Sequence, residues 1–336
     1  MGLGARILCF GELLLRLSAP DREHLFQQNR LDAQFGGAEA NVAVALARLG
    51  VPSAVVSALP DDAVGDGAID AIRRHGVDVS GMVRAPGRLG LYYLTPGAGL
   101  RASAIVYDRA GSVFAETPAS AYDWPRLLQG VEWLHLSGIT PALGPGPVEV
   151  GLAAIAAAHE AGVKVSFDGN FRGSLWARWC TDPAPILARY IAGADLLFGN
   201  HRDLSLVLGQ RLGGDTAAAR RESALVGFDH FPRLSVIACT ARTIVGPDHH
   251  RLSARIDTRA EAHETAEIDV PQIVDRIGTG DAFAAGVLAR LADGPTAAAE
   301  TGLALGALKH ATPGDHSFTT ARELAEFARG GLEVRR

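Results

Sequence analysis

Two rhythms of apolar residues alternate along the chain. Short apolar runs of strand length are followed by stretches where apolar positions return every three or four residues, and glycine closes many of these. Residues 5–10 (ARILCF) read as a buried strand. AEANVAVALARLG, from Ala38, reads as a helix with Val42, Leu46 and Leu49 on one face and Gly50 as its stop. A strand at 51–59 and a helix at about 64–75 ended by Gly76 come next. This β-α-β-α order with short connections predicts a largely parallel sheet. The alternation resumes with strands at 131–138, 163–168 and 194–199 and helices at 147–161 and 183–192. Helices are then expected at 203–209 and 215–229, a strand at 234–240, and two or three short strands within 243–270. Terminal helices are expected at 279–293, 295–311 and 319–331.

Two stretches break the rhythm. Residues 12–36 are irregular and polar, and from about 77 to 115 short strands (LGLYYLTPG, ASAIVYD) follow one another without a helix between them. Together they predict a small antiparallel sheet outside the main one, a lid built from segments of about 12–36 and 87–115. Such excursions over an α/β core commonly carry substrate contacts. The expected organisation is one domain over residues 1–336 with this lid inserted in it.

Composition narrows the classes. The chain has 32 basic and 37 acidic residues, a net charge of −5, which argues against a nucleic-acid partner. No run has the length of a membrane helix, so a cytoplasmic setting without a membrane partner is expected. The N-terminus lacks a long apolar region and a cleavage site, and Gly2 is not followed by a myristoylation pattern. Three scattered cysteines, Cys9, Cys180 and Cys239, read as reduced thiols, two of them core filler. His249, His250 and His263 fall in expected surface strands without a carboxylate or thiol at ligand spacing, so no direct metal site is expected there.

Candidate chemistry collects where strands end, as ligands do in open α/β sheets. Ser137-Gly138, Asp168-Gly169-Asn170, Gly199-Asn200 and Thr240-Ala241-Arg242 all follow expected strands. The sharpest motif is Gly278-Thr279-Gly280-Asp281, which opens an apolar helix. Its glycines admit close approach, and first-turn amides face an anion. An acid in such a nest needs a reason, and a general base that takes a proton from an attacking hydroxyl supplies one. Gly36-Gly37 open another helix and offer the backbone to a ligand. Neither the dinucleotide fingerprint nor the P-loop is present.

The segments GGAEANVAVALARLG (36–50) and DRIGTGDAFAAGVLA (275–289) together resemble the two signatures of the ribokinase/PfkB family of carbohydrate kinases. LHLSGITPA (134–142) and VSFDGNFRGSLW (165–176) are most similar to its 2-keto-3-deoxygluconate kinases. The resemblance implies a ribokinase-like three-layer α/β/α sandwich with a β-lid, ATP as donor, Mg2+, and phosphorylation of a sugar acid to its 6-phosphate in Entner–Doudoroff-type catabolism. It implies Asp281 as base and the amides of Gly278, Thr279 and Gly280 as anion hole. It places Gly36, Gly37, Tyr92, Tyr107, Arg109, Asn170, Arg172 and Asp315 on the sugar. Asn200, Asp203, Thr240, Arg242, Gly278 and Gly280 fall to the nucleotide, with magnesium near Asp203 rather than bound directly. Two arginines suit a carboxylate-bearing sugar. Two departures stand out: the segment after the strand at 234–240 lacks glycine until Gly246, and Arg276 precedes the GTGD turn. Lid-to-lid homodimers are a further implication. The alternatives are kinases of the same family acting on 2-keto-3-deoxygalactonate, fructose or a nucleoside, and a non-catalytic sugar-acid-binding regulator.

Overall fold

The structure, a computed structural model, describes residues 6–246 and 248–330. Met1, Gly2, Ala5 and Gly331, on which parts of the expectations fell, lie outside the described residues.

Strict alternation in the first strand, β1 (Arg6–Phe10), sets the layering. Ile7 and Cys9 enter one apolar cluster, while Leu8 and Phe10 enter another on the opposite face. Both faces of a strand are apolar only when both are covered, which is the condition of a parallel sheet. β4 (Ser53–Val56), β9 (Val131–Ser137), β10 (Lys164–Asp168) and β11 (Leu196–Phe198) join it in parallel register, as does the start of β12 (Val236–Gly246). β13 (His249–Thr258), β14 (Ala262–Glu264) and β15 (Ile268–Val270) extend that sheet antiparallel. Helices Ala38–Arg48, Ala63–Arg73, Thr279–Arg290 and Pro295–Lys309 cover one face, and Pro145–Glu160, Ala184–Ala192 and Ala217–His230 the other.

The lid is a four-stranded sheet in the order β3-β2-β7-β8, from β2 (Leu14–Ser18), β3 (Asp32–Gly36), β7 (Gly90–Thr95) and β8 (Ala104–Asp108). It is mixed rather than antiparallel. Each excursion turns back on itself, but the strands that meet between them, β2 and β7, run parallel. The segment expected to be irregular at 12–36 therefore holds two strands. The expected strand at 51–59 divides at Ser57, because β5 (Ala58–Pro60) leaves the main sheet to pair with β6 (Val83–Ala85).

The C-terminal side differs more. β12 continues through Thr240-Ala241-Arg242-Thr243 to Gly246, paired along that length with β13, so this stretch is a strand and not a loop. Alternation along β13 sends His250 inward, fully buried against His310, so it is not a surface residue. Short helices at Val113–Glu116 and Trp124–Leu127 were not expected from the sequence. Phe10 holds this segment, with ring centroids 5.4 Å from Phe114, 5.3 Å from Tyr122 and 5.1 Å from Trp124. Each such pair adds about 0.5–1.5 kcal/mol beyond burial, more than single turns gain from propensity.

Candidate active site

The GTGD turn lies where the sequence placed it, at the start of helix Thr279–Arg290. Gly278 is left-handed, at φ 78°, and a Cβ there would overlap the Asp315 carbonyl oxygen. Only glycine satisfies both conditions. Thr279 turns its amide and its hydroxyl back to the Arg276 carbonyl oxygen. Helical bonding begins with Ala282 N donating to Gly278 O at 2.9 Å. Among the described residues the amides of Gly278, Gly280 and Asp281 have no hydrogen-bond partner, so Asp281 joins two of the three expected donors.

Asp281 accepts a 2.6 Å hydrogen bond from Asn41 Nδ2. Asn41 belongs to the helix that Gly36-Gly37 open, so the two signature segments meet at the candidate base. Burial raises the Asp281 carboxyl to about 8; the Asn41 bond opposes this, while the charges of Asp168, Glu39 and Asp315 add to it. Asp168 is raised to about 7, again first by burial. Glu39 is also raised by burial, and its Oε1 has no hydrogen-bond partner.

Asp315 is held very differently. Arg16 Nη1 donates to its Oδ1 at 2.8 Å, and the Tyr92 hydroxyl lies 2.8 Å from both oxygens. Arg16 also reaches Asp275 Oδ2 at 2.8 Å. A Cβ on Gly36 would collide with the Asp315 carboxylate. Gly36, Tyr92 and Gly278 are therefore gathered around Asp315, with the Tyr107 ring 6.3 Å from that of Tyr92. A Cβ on Gly37 would meet the Glu12 carbonyl oxygen instead.

The two arginines expected on the sugar are held differently. Arg109 is buried, and Nε and Nη2 both lie 2.5 Å from Glu12 Oε2, so its charge is already answered inside the lid. Arg172 is exposed and lines a recess of about 950 Å³ together with Arg242, Arg276, Gln34 and Ile277. Among the described residues none of these three arginines has a carboxylate within ion-pair distance. A second recess, of about 470 Å³, is lined by Asp168, Asn170, Asn200, Asp203, Thr240 and Gly280. The recesses adjoin along the segments 168–172, 238–246 and 275–280. Asn170 holds a left-handed φ of 37°, a conformation Asn tolerates better than most residues. Asn200 and Asp203 form a capping box on helix His201–Leu208, with Asp203 Oδ2 accepting from Asn200 N at 2.8 Å.

The sequence reading missed Arg16, Asn41, Asp275 and Glu39. Arg16 and Glu39 did carry a signal, each a lone charge in an otherwise apolar run.

The pfkB family carbohydrate kinase profile matches residues 5–228. The chain belongs to this family. It is 33% identical over 333 residues to a 2-dehydro-3-deoxygalactonokinase of Haloferax volcanii, covering 97% of this chain and 98% of that one. It is 28% identical to the 2-dehydro-3-deoxygluconokinase of Bacillus subtilis over 95% of this chain and 94% of that one. Among solved structures, the 2-dehydro-3-deoxygluconokinase of Thermotoga maritima superposes with a TM-score of 0.92 at 33% identity, covering 97% of this chain and 99% of that one. As a pfkB kinase, the chain has the ribokinase-like sandwich and lid expected of it. The family profile ends before the GTGD turn, but the full-length relatives span it.

Proposed function

We propose that this kinase transfers the terminal phosphoryl group of ATP to the primary hydroxyl of 2-keto-3-deoxygluconate (also called 2-dehydro-3-deoxygluconate), yielding the 6-phosphate and ADP. The observation that carries the reading is Asp281, a carboxylate with a raised proton affinity set beside the unpartnered amides of an anion-binding turn. The substrate hydroxyl gives its proton to Asp281 while its oxygen bonds to the phosphorus. The bond from phosphorus to the bridging oxygen breaks, and the amides of Gly280 and Asp281 receive the charge on the group in transit. Tyr92, Tyr107, Gly36 and Asp315 shape the sugar side. Arg172 offers the sugar carboxylate a planar fork, and Arg242 and Arg276 suit the nucleotide phosphates.

Among the described residues no three His, Cys, Asp or Glu side chains form a metal cage, and Asp203 spends one oxygen on the Asn200 amide. This fits a magnesium ion carried mainly by the phosphates, with Asp203 close by, neutralising their charge. Val106, exposed and apolar on the edge strand β8 and on the face away from the recess, supports pairing of lids between two copies.

The Haloferax volcanii relative favours a second reading, the C4 epimer 2-keto-3-deoxygalactonate as acceptor. Coupled ADP release with each epimer, fructose, ribose and adenosine separates these readings. A preference for a neutral sugar overturns the sugar-acid assignment, and no ADP release with any acceptor overturns the kinase reading.

A further inference from the structure

Lys309 ends helix Pro295–Lys309 and has no exposed surface. It follows the run LALGAL, in which it is the only charge. A fully buried ammonium is costly unless charge and hydrogen bonds answer it. Its Nζ donates to the Thr312 carbonyl oxygen at 2.8 Å, its one hydrogen bond among the described residues. Burial lowers its proton affinity, and the charges of Asp275, Asp315 and Asp281 oppose that lowering, with Arg16 as the other cation beside them. Among the described residues no carboxylate oxygen lies within ion-pair distance of Nζ, so the ammonium answers this group of acids collectively.

These groups clamp two loops together. Asp275 Oδ1 accepts from Ile277 N at 2.9 Å, and its Oδ2 accepts from Gly314 N at 3.0 Å. The His310 carbonyl oxygen accepts from Val274 N at 2.9 Å and Asp275 N at 3.2 Å. Thr312 N returns a bond to Lys309 O at 3.0 Å. The segment leading into the GTGD turn is thereby fastened to residues 309–315. Within the clamp, Asp275 and Asp315 are balanced by Arg16 and Lys309. Without Lys309 an uncancelled negative charge would stand behind the amides that must receive an anion.

We infer that Lys309 is a positioning residue: a tethered ammonium that supplies the clamp with an internal cation, keeps the turn at 276–280 in shape, and relieves it of excess negative charge. The role rests on the kinase reading above. It makes a dissolved monovalent cation unnecessary, because the Thr312 carbonyl oxygen that would help hold such an ion in this buried place is already taken by Nζ.

The test compares wild type with Lys309→Met in buffers whose monovalent cation is tetramethylammonium, too bulky for a buried site, with potassium or ammonium then added. Wild type is expected to be indifferent to the addition. K309M is expected to lose kcat by about 10- to 100-fold with the sugar KM within about 3-fold, and to recover part of the loss with potassium or ammonium. A purely structural role would lower thermal stability without this cation dependence. Wild-type kcat in K309M, or a loss that no small cation repairs, overturns the inference. If K309M does not fold, the wild type decides: activation by potassium refutes the inference and indifference supports it. A wild type that transfers to no acceptor defeats the kinase reading alone. ATP binding by the two proteins, measured calorimetrically with and without potassium, then still reads the role of Lys309.

Discussion

Asp281 and Asp315 crowd the same glycine turn, and burial raises the proton affinity of both. Their neighbourhoods differ. Asp315 is pulled back toward ionisation by a guanidinium and a phenol, whereas Asp281 has one amide and three other acids around it. An acid supplied with a cation is held in place and favoured as a carboxylate. An acid left short of one keeps an appetite for protons, which is what a base needs. The same contrast separates Arg109, answered by Glu12, from Arg172, which has no carboxylate partner within reach among the described residues.

The largest test of this contrast is Asp281→Asn. It is expected to lower kcat by about 100- to 10,000-fold while the sugar KM stays within about 3-fold. The folded Asp281 carboxyl, at about 8, binds its proton more tightly than an unfolded one. Between the usual carboxylate range and about 8 the native state therefore holds more protons, and stability falls as pH rises through that window. D281N removes the penalty, so its thermal midpoint at pH 8 should rise by about 2 °C. A fall would mean that the Asp281 carboxylate holds the fold together.

Arg16→Met attacks the other side. It strands Asp315 and Asp275 without their guanidinium and is expected to cost about 3–5 kcal/mol in urea unfolding. A loss below about 1 kcal/mol would show that the pair holds nothing together.

Two further variants move Asp281 in opposite directions. Asp168→Asn removes a charge that raises it and should shift the acid limb of kcat/KM to lower pH. Asn41→Ala removes the bond that lowers it and should shift the limb upward, each by about one pH unit. Shifts of the same sign would exclude Asp281 as the titrating group. The smallest expected effect belongs to Arg172→Gln, which should raise KM for a sugar acid about 10-fold and leave a neutral sugar within about 2-fold.

Much of the architecture was legible because strands and helices write their burial locally. Alternation in ARILCF and the three- and four-residue returns in AEANVAVALARLG suffice to place a two-sided sheet under helices. The lid was less legible. β3 has one buried residue in five, so its sequence carries no apolar face, and β2 is only five residues long. β12 overran its expected end because pairing with β13, not its own polar sequence, keeps it extended. In the site, Asp281 and its glycines announced themselves through spacing within one turn. Arg16, Asn41 and Lys309 did not, since what gives them meaning lies elsewhere in the chain. Asn41 and Asp281 are separated by 240 positions, and no local rule joins them. The Arg109–Glu12 pair is hidden for the same reason, its partners lying 97 residues apart.

The Arg16–Asp315 bond spans 299 positions. Closing so long a loop gains nothing until most intervening structure exists, so this contact belongs late in folding. During synthesis the lid strand β2 emerges 299 positions ahead of its anchor. A nascent chain, or one clipped ahead of Asp315, would carry the whole GTGD turn and still lack a seated lid.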